Sequence, residues 1–326
     1  MENFEIIKLR KQLSERRNRL TKAIENLNSP QYLIMLLQKV DSALERMDNG
    51  TFGICEVCKE PIENERILAN PLITFCLDHL TNNERKILEQ DLDLASKIQG
   101  KLLPKNNCSE FNFEVSYHYQ PAGLVSGDYC DIILNDNDRS IIFLVGDITG
   151  KGIAASMLMT HVHALVHSLI SFNLPLSELM EKVNRLFCES SLYTYFITMI
   201  LGKVSEDGKV EICNAGHCLP IVIKKNEIKS IDSTGLPLGI FQTVSYTTLE
   251  LKLEIGDGIL LYTDGLSEAN NGSEEFGEER INRIALENYN AAPDKLLNLI
   301  LSDLNEFTHN KNLYDDLTIM SIRKYN

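Results

Sequence analysis

The chain has 326 residues, enough for about two domains, and a formal net charge of −14 at pH 7. This acidity argues against general nucleic-acid binding, because phosphate backbones are bound through Lys and Arg. The chain contains no run of roughly 18 uninterrupted apolar residues, which a membrane-spanning helix needs, and its start lacks the features of a signal peptide. We therefore expect a cytoplasmic protein that does not span a membrane.

Two amphipathic helices are predicted at the start of the chain. Apolar residues recur at mostly helical spacing over residues 4–27 and again over residues 33–47, and Ser29-Pro30 separates the two runs. Helices of this kind joined by a short turn form an antiparallel hairpin, in which each covers the apolar stripe of the other.

A zinc site is predicted directly after this hairpin. Cys55 and Cys58 form a Cys-x2-Cys pair, and Cys76 and His79 form a Cys-x2-His pair. This spacing fits a tetrahedral Cys3His site for one structural Zn²⁺, which would hold together a segment with too little core of its own. The alternative, buried cysteines and a surface histidine, is disfavoured by the paired spacing.

Residues 81–103 are predicted to form a linker helix that ends at Pro104. Its narrow apolar seam has the four-three spacing of a coiled coil. The seam consists of Leu88, Leu92, Ala95 and Leu102, with Gln99 between the last two. Two interpretations remain open: the helix packs on its own domain, or it pairs with its twin in a homodimer. Our working prediction is a homodimer through residues 81–103, with residues 81–104 acting as a switch.

From residue 111 the pattern changes to short strands separated by turns. The predicted strands are Phe111–Tyr119, Tyr129–Leu134, Ser140–Ile148, Phe196–Val204, Lys209–Asn214, Leu219–Lys224, Thr247–Leu253, Gly258–Thr263 and Leu317–Ile322. Helices are predicted at about 153–172, 176–190, 277–288 and 293–309. This order suits an α+β fold, an antiparallel β-sandwich with helices on both outer faces.

Four acidic residues stand where predicted strands begin or end: Asp128, Asp147, Asp264 and Asp315. Carboxylates that converge repel one another unless a cation neutralises them, so we predict a divalent-metal site. The loop Gly146–Gly152 is not a nucleotide-binding P-loop, because only three residues separate Gly146 from Gly150. An ordinary strand-to-helix turn, with Asp147 as the helix cap, remains an alternative for this loop alone.

The order of these motifs along the chain resembles the SpoIIE/RsbU-like branch of the metal-dependent (PPM) protein phosphatases, over roughly residues 90–323. The matching segments are Leu94–Pro104, Gln120-Pro121-Ala122, Ser126–Asp131, Gly146–Gly152, Phe196-Ile197-Thr198, Asn214–His217, Gly235–Gly239, Leu261–Leu266 and Asp315–Thr318. The resemblance implies an α-β-β-α sandwich phosphatase domain over residues 105–326. It also implies hydrolysis of phosphoserine or phosphothreonine in a protein substrate, which in this branch is a small anti-anti-sigma-type regulator of bacterial signalling.

The resemblance further implies two Mn²⁺ or Mg²⁺ ions, since hard oxygen ligands suit these metals. Asp147 would bridge the ions with help from the Ile148 carbonyl, and Asp128, Asp264 and Asp315 would complete the ligand set. Asp131 and Asp316 are candidates for supporting the ligands or the bound water. No histidine lies inside the motifs that carry the four acids, and we interpret His161, His163 and His167 as packing or surface residues of a helix. His217 is interpreted as part of a turn.

The segment Ile54–His79 resembles the DksA/TraR zinc finger, and the preceding hairpin fits that family too, so residues 1–80 form one predicted module. DksA-like proteins reach into RNA polymerase through an acidic coiled-coil tip, whereas the predicted tip here, residues 26–30, has no aspartate. The resemblance leaves an alternative function, a DksA-like transcription regulator whose phosphatase-like domain only docks. The retention of all four acids disfavours this alternative.

Overall fold

A computed structural model of the chain describes residues 3–25, 31–80, 82–105, 107–191, 194–309 and 313–326. The chain divides into two compact units, Met1–Gln90 and Asp91–Asn326. The predicted hairpin tip at residues 26–30 and the first residue of the predicted linker helix lie outside the described residues.

The first unit contains a helical hairpin and a small cysteine-rich segment. Its helices are α1 (Asn3–Glu25), α2 (Gln31–Asp48) and α3 (Asn64–Ala69), followed by a 3-10 turn at Leu77–His79. Ion pairs join Arg10 to Asp48 and Arg17 to Asp41, so the start of α1 lies beside the end of α2. The two helices are therefore antiparallel, as predicted. The side chains buried between them are Leu13, Leu20, Val40 and Ala43.

Helix α4 (Asn82–Gly100) contains the boundary between the two units, whereas the sequence predicted domain boundaries at residues 80 and 104. The helix ends at Gly100, before Pro104, because the glycine has little helical preference. Backbone turns continue the chain through Lys101 and Leu102.

The second unit is built on two antiparallel sheets. One contains, in spatial order, β1 (Cys108–Glu110), β2 (Phe113–Gln120), β11 (Leu317–Lys324), β10 (Gly258–Tyr262), β7 (Ile221–Lys224) and β8 (Glu227–Ser230). The other contains β3 (Tyr129–Asn135), β4 (Ser140–Ile148), β5 (Ile197–Ser205), β6 (Lys209–Ala215) and β9 (Leu249–Lys252). The remaining helices are α5 (Gly152–Ile170), α6 (Leu176–Ser190), α7 (Asp264–Ser267), α8 (Gly277–Glu287) and α9 (Pro293–Phe307).

The side chains of β4 point alternately to the two faces of its sheet and show how the layers of the fold pack. Phe143 and Val145 point into the core between the two sheets, where they meet Ile259 of β10. Leu144 points the other way, into the core beneath α5 and α6. A third core joins the opposite sheet to α8 and α9. The order helices, sheet, sheet, helices confirms the predicted α-β-β-α sandwich.

Two edge strands, β1 and β8, and two short helices, α3 and α7, were not predicted. Strand β1 is mostly exposed, and β8 has the sequence Glu-Ile-Lys-Ser with only Ile228 partly buried. Such segments show too little apolar alternation to indicate a strand. Their conformation depends on pairing with β2 and β7 instead.

Among the described residues, the segment Ile153–Ile170 of α5 has the length and average hydropathy of a membrane-spanning helix. The sequence prediction considered uninterrupted apolar runs, and three histidines and several hydroxyl residues interrupt this one. In the structure Met159, Val162 and Val166 of this helix are buried in the core against the five-stranded sheet. Core helices of this kind satisfy the same length and hydropathy criteria.

Candidate metal centres

The four predicted acids lie next to strands that pair with each other. Asp128 directly precedes β3, Asp147 is the penultimate residue of β4, Asp264 begins α7 just after β10, and Asp315 lies shortly before β11. Strand β3 pairs with β4, and β10 pairs with β11. The sandwich thus provides one pair of acids from each sheet.

The structure brings these acids close enough to repel one another. Burial, followed by the charges of Asp264 and Asp315, raises the pKa of Asp147 to about 7. Burial and the charge of Asp147 raise the pKa of Asp128 well above its usual value. Burial and then Asp315 raise the pKa of Asp264. Each of these shifts disfavours the ionised form, and a cation bound among the carboxylates would reverse them.

Asp128 is held by two threonine hydroxyls from the opposite sheet. Thr263 Oγ1 donates to Asp128 Oδ2 at 2.9 Å, and Thr318 Oγ1 donates to the same oxygen at 2.6 Å. The Thr318 amide in turn donates to Thr263 Oγ1 at 2.9 Å. These bonds fix the buried carboxylate against β10 and β11 and leave Oδ1 as the oxygen available to a metal.

Asp316 supports a loop through both of its carboxylate oxygens. The amide of Ala122 donates to Oδ1 and the amide of Gly127 donates to Oδ2, each at 2.8 Å. This carboxylate therefore holds the loop that leads into Asp128, and its charge also raises the pKa of Asp147. The placement favours a supporting role over a direct metal contact.

Asp131 is placed away from the other acids. Strand residues alternate between faces, so Cys130 points into the core between the sheets, while Tyr129 and Asp131 point towards α5. Its partners are His167, whose Nε2 lies 2.6 Å from Asp131 Oδ2, and Tyr129, whose hydroxyl donates to the same oxygen. The structure does not bring Asp131 into the four-acid cluster.

Lys151 is a charged neighbour of the cluster that the sequence analysis missed. Its ammonium lies 2.7 Å from Asp315 Oδ2 and also donates to the Tyr314 carbonyl at 2.7 Å. A positive charge therefore already stands beside one of the acids. The available signal was its place in the loop Gly146–Gly152, four residues after Asp147.

Two glycines permit the close approach of the acidic segments. A Cβ at Gly265 would lie 1.9 Å from the Asp316 carbonyl oxygen, so no other residue fits there without moving the backbone. A Cβ at Gly127 would lie 3.0 Å from the Ile148 carbonyl oxygen. The Ile148 carbonyl thus lies beside the segment that carries Asp128, consistent with its predicted role as a ligand.

These observations fit a divalent-cation centre. The donor set consists of hard carboxylate oxygens and a backbone carbonyl, which Mg²⁺ and Mn²⁺ prefer. Burial and neighbouring carboxylates both disfavour ionised acids here, and the Lys151 ammonium shows that a cation is accommodated at the edge of the cluster. Asp147 is affected by both Asp264 and Asp315 and lies at the electrostatic centre of the group.

The predicted zinc ligands also come together. The ligand atoms of Cys55, Cys58, Cys76 and His79 all lie within 4.8 Å of one another. Cys58 Sγ lies 3.7 Å from Cys76 Sγ, close to the separation of about 3.8 Å expected for two thiolates on a tetrahedral zinc. His79 presents Nδ1 at 3.2 Å from Cys76 Sγ.

The backbone around Cys55 favours a thiolate, whereas burial and hydrogen bonds to Cys55 and Cys58 raise the pKa of Cys76. Burial opposes ionisation of Cys55, but backbone hydrogen bonds at Cys76, Cys58 and Val57 together lower its pKa to about 6. The first knuckle is closed by the Cys55 amide, which donates to the Glu60 carbonyl at 2.9 Å. A low thiol pKa is the usual mark of a metal-binding cysteine.

Residues 137–325, more than half of the chain, match the family described as "Stage II sporulation protein E (SpoIIE)". The chain belongs to the SpoIIE family. Asp147, Asp264 and Asp315 lie inside the matched range, and Asp128 lies shortly before it. Membership confirms the family resemblance identified from the motifs.

One relative and one solved structure support this assignment. The SpoIIE-family chain is 25% identical over 240 residues to the phosphoserine phosphatase RsbU of Bacillus subtilis, which covers 73% of this chain and 71% of RsbU. The SiaA-PP2C domain of Pseudomonas aeruginosa aligns with a TM-score of 0.64 and 19% identity, over 73% of this chain and 97% of that domain. The second similarity shows that the two share a fold.

The first unit has its own match. Residues 50–78 match the family described as "Prokaryotic dksA/traR C4-type zinc finger". The transcription factor DksA of Caulobacter vibrioides is 37% identical over 51 residues, which are 16% of this chain and 36% of DksA. The description specifies four cysteines, whereas this SpoIIE-family chain has His79, directly after the matched range, as the fourth residue of the cluster. The predicted zinc-finger resemblance is confirmed.

Proposed function

We propose that this chain is a metal-dependent phosphatase that removes phosphate from serine or threonine in a protein substrate. The observation that carries the proposal is the convergence of Asp128, Asp147, Asp264 and Asp315 within a SpoIIE-family sandwich, where burial and then neighbouring carboxylates raise the pKa of the first three. Buried acids that raise one another's pKa are unfavourable unless a cation binds them. The similarity to RsbU, a phosphoserine phosphatase, supports the same reaction.

Two Mn²⁺ or Mg²⁺ ions, when bound, supply a water that ionises near neutral pH and neutralise the charge of the phosphate. Asp147 and the Ile148 carbonyl would hold both ions, with Asp128, Asp264 and Asp315 completing the ligand set. Thr263 and Thr318 position Asp128, and Asp316 holds the loop before it. These hydrogen bonds orient the Asp128 carboxylate and its loop without a bound ion.

Lys151 has a proposed role in binding the substrate phosphate. Its ammonium is more than half exposed and lies against Asp315, at the edge of the acidic cluster. When Asp315 becomes a metal ligand its charge is shared with the ion, and the ammonium is free to meet a phosphate oxygen. The segment from Glu110 to Ile132, which contains Asp128, has no Arg or Lys, so Lys151 would supply the basic group for phosphate binding.

The proposed substrate is a small anti-anti-sigma-type phosphoprotein, and the proposed location is the cytoplasm. The SpoIIE-family assignment and the similarity to RsbU support this part of the proposal. The first unit, with one structural Zn²⁺ at Cys55, Cys58, Cys76 and His79, would sense a signal or bind a regulator. The proposed domains are residues 1–80, the linker helix 81–104 and the phosphatase domain 105–326.

We propose a homodimer through residues 81–103, in which the contact is made by a different face of the helix from the predicted apolar seam. Gln99 is buried, and Leu102 packs in the core beneath α5, so the end of the predicted seam faces the chain's own second unit. Leu94 and Ile98, one helical turn apart, are 57% and 51% exposed. This outward pair is the better candidate for contact with a second copy.

Hydrolysis of a generic phosphoester by the full chain, with and without Mn²⁺, tests the function. Wild type should be active only with the metal, and Asp147→Asn should reduce this activity by on the order of a thousandfold, because metal stabilisation of the transition state is worth several kcal/mol. Asp136→Asn, in an exposed turn, is the matched control and should retain full activity. Absence of Mn²⁺-dependent hydrolysis in the wild type would favour the alternative of a non-catalytic docking domain.

A further inference from the structure

A second group of metal-binding side chains lies on the outer face of the five-stranded sheet. His163 and His167 stand one turn apart on α5, and Asp131 reaches them from β3. Their nitrogen and carboxylate oxygen atoms all lie within 4.8 Å of one another. Asp131 is 4% exposed, His163 is half-buried, and His167 is open to solvent.

The carboxylate of Asp131 is rigidly oriented. The Tyr129 hydroxyl donates to its Oδ2 at 2.9 Å, and the Ile132 amide donates to its Oδ1 at 2.8 Å. His167 Nε2 lies 2.6 Å from Oδ2. Hydrogen bonds of this kind are what usually fix a metal-binding carboxylate in place.

An ion pair between His167 and Asp131 would explain the positions of those two side chains, but not why the His163 ring lies beside them. The two imidazole rings stack with centroids 4.2 Å apart, and the Tyr129 ring meets the His163 ring in an edge-to-face arrangement with centroids 5.8 Å apart. No hydrogen bond to the His163 ring is found among the described residues. Two protonated imidazoles this close would repel each other, whereas a shared metal ion uses both as neutral ligands.

We propose that Asp131, His163 and His167 form an additional metal site, of the two-histidine, one-carboxylate type, that binds Zn²⁺. Histidines at positions i and i+4 of a helix place their rings on one face and can hold one zinc ion together. Two imidazole nitrogens and one carboxylate suit zinc, whereas Mg²⁺ prefers oxygen ligands only. With three protein ligands and an exposed His167, the fourth position is open to water or another ligand.

Only a small movement is needed to admit the ion. Two ligands on a tetrahedral zinc lie about 3.3 Å apart, given metal–ligand bonds near 2.0 Å, whereas His167 and Asp131 are 2.6 Å apart. The His167 side chain is 41% exposed and can turn outward by that amount. The bound ion would join β3, which follows Asp128, to α5, which follows the loop containing Asp147.

The experiment measures zinc bound per full-length chain, with millimolar Mg²⁺ present to fill the four-acid centre. Wild type should retain two equivalents, one at the cysteines and one at this site. His163→Gln and His167→Gln should each retain one, because glutamine can replace the hydrogen bonds but is a poor zinc ligand. His161→Gln is the matched control on the same helix, where the histidine pairs with Ser190, and should retain two.

A Co²⁺ spectrum provides an independent readout of the same site, and its first measurement leaves both histidines in place. In Cys55→Ser/Cys58→Ser/Cys76→Ser, Co²⁺ should still give visible ligand-field bands, now without thiolate-to-metal charge transfer. Such bands should be lost when His163→Gln and His167→Gln are added. One zinc equivalent in the wild type, loss in only one of the two histidine variants, or no Co²⁺ band in the cysteine variant would overturn the proposal.

Discussion

The side chain of Gln99 makes two hydrogen bonds with the backbone of Ser126. Its Nε2 donates to the Ser126 carbonyl at 2.7 Å, and the Ser126 amide donates to Gln99 Oε1 at 3.0 Å. Ser126 Oγ in turn accepts a hydrogen bond from the Asp128 amide at 3.0 Å. The end of α4 is thus connected to a predicted metal ligand through a single residue.

Gln99→Leu is predicted to weaken both the fold and the metal centre. The change keeps the volume roughly constant but leaves two buried backbone groups of Ser126 unpaired, at a cost of about 1–3 kcal/mol. We expect a lower thermal midpoint and a higher Mn²⁺ concentration for half-maximal activity. Lys97→Leu, at an exposed position of the same helix, should change neither quantity. Unchanged Mn²⁺ dependence in Gln99→Leu would show that this contact does not position Asp128.

Cys55→Ser combined with Cys58→Ser is predicted to release one zinc equivalent and to unfold the cysteine-rich part of the first unit. The thiolates supply most of the energy that holds this segment together, since its core is small. Basal phosphatase activity should persist, because the acids belong to the other unit. Zinc content and susceptibility to limited proteolysis are measured for this variant and for the control variant Cys108→Ser. An unchanged zinc content would refute the cysteine site.

His217 makes the fold sensitive to acid. The residue is buried, its Nδ1 lies 2.8 Å from Thr198 Oγ1, and its Nε2 has no hydrogen-bond partner. Burial lowers the pKa of His217 to about 4, although the Tyr262 backbone acts in the opposite direction. Below about pH 6.5 the His217 imidazole is protonated in the unfolded chain, whereas in the folded chain it stays neutral until about pH 4. Stability should therefore fall as the pH decreases through this range.

His217→Gln is predicted to reduce this acid sensitivity. Between pH 6.5 and pH 4 the wild type should lose up to about 3 kcal/mol more unfolding free energy than the variant, from a pKa difference of roughly 2.5 units. Urea unfolding at several pH values provides the measurement. His161→Gln should behave as the wild type does. An identical pH dependence for wild type and His217→Gln would show that the buried imidazole is not responsible.

Leu94→Glu combined with Ile98→Glu is predicted to convert a dimer into a monomer. Both side chains are exposed, and charges placed on a helix–helix contact are strongly unfavourable. Light scattering at several protein concentrations measures the change. Ile255→Glu replaces another exposed apolar residue, in a turn, and should leave the dimer intact. A monomeric wild type would remove the basis for the proposed contact.

Several features could be predicted because they depend on neighbours in the sequence. The bounds of β4 at Ser140–Ile148 and of α6 at 176–190 agree with the prediction, since period and apolar content are local properties. The alternation of side chains along a strand also predicts which face Asp131 lies on. Because Asp131 is an odd number of residues from Asp128, it belongs on the opposite face of the strand.

Other features required the tertiary structure. Asp128 and Thr318 are 190 positions apart, and Asp316 and Ala122 are 194 positions apart, yet hydrogen bonds join both pairs. No local pattern specifies such contacts, because the first arises from the packing of one sheet on the other and the second from the pairing of β2 with β11. The approach of Lys151 to Asp315 has the same origin.

The sequence by itself determined the family and predicted the four acids and the four zinc ligands, because each lies in a short motif that can be read without its surroundings. Only the tertiary structure decided how the individual side chains are used. It turned Gln99 inward to hold Ser126, whereas the sequence left open whether the seam around Gln99 faces its own domain or a second chain. It also separated Asp131 from the four acids and placed it with His163 and His167, since the choice depends on which helix covers each face of the sheet.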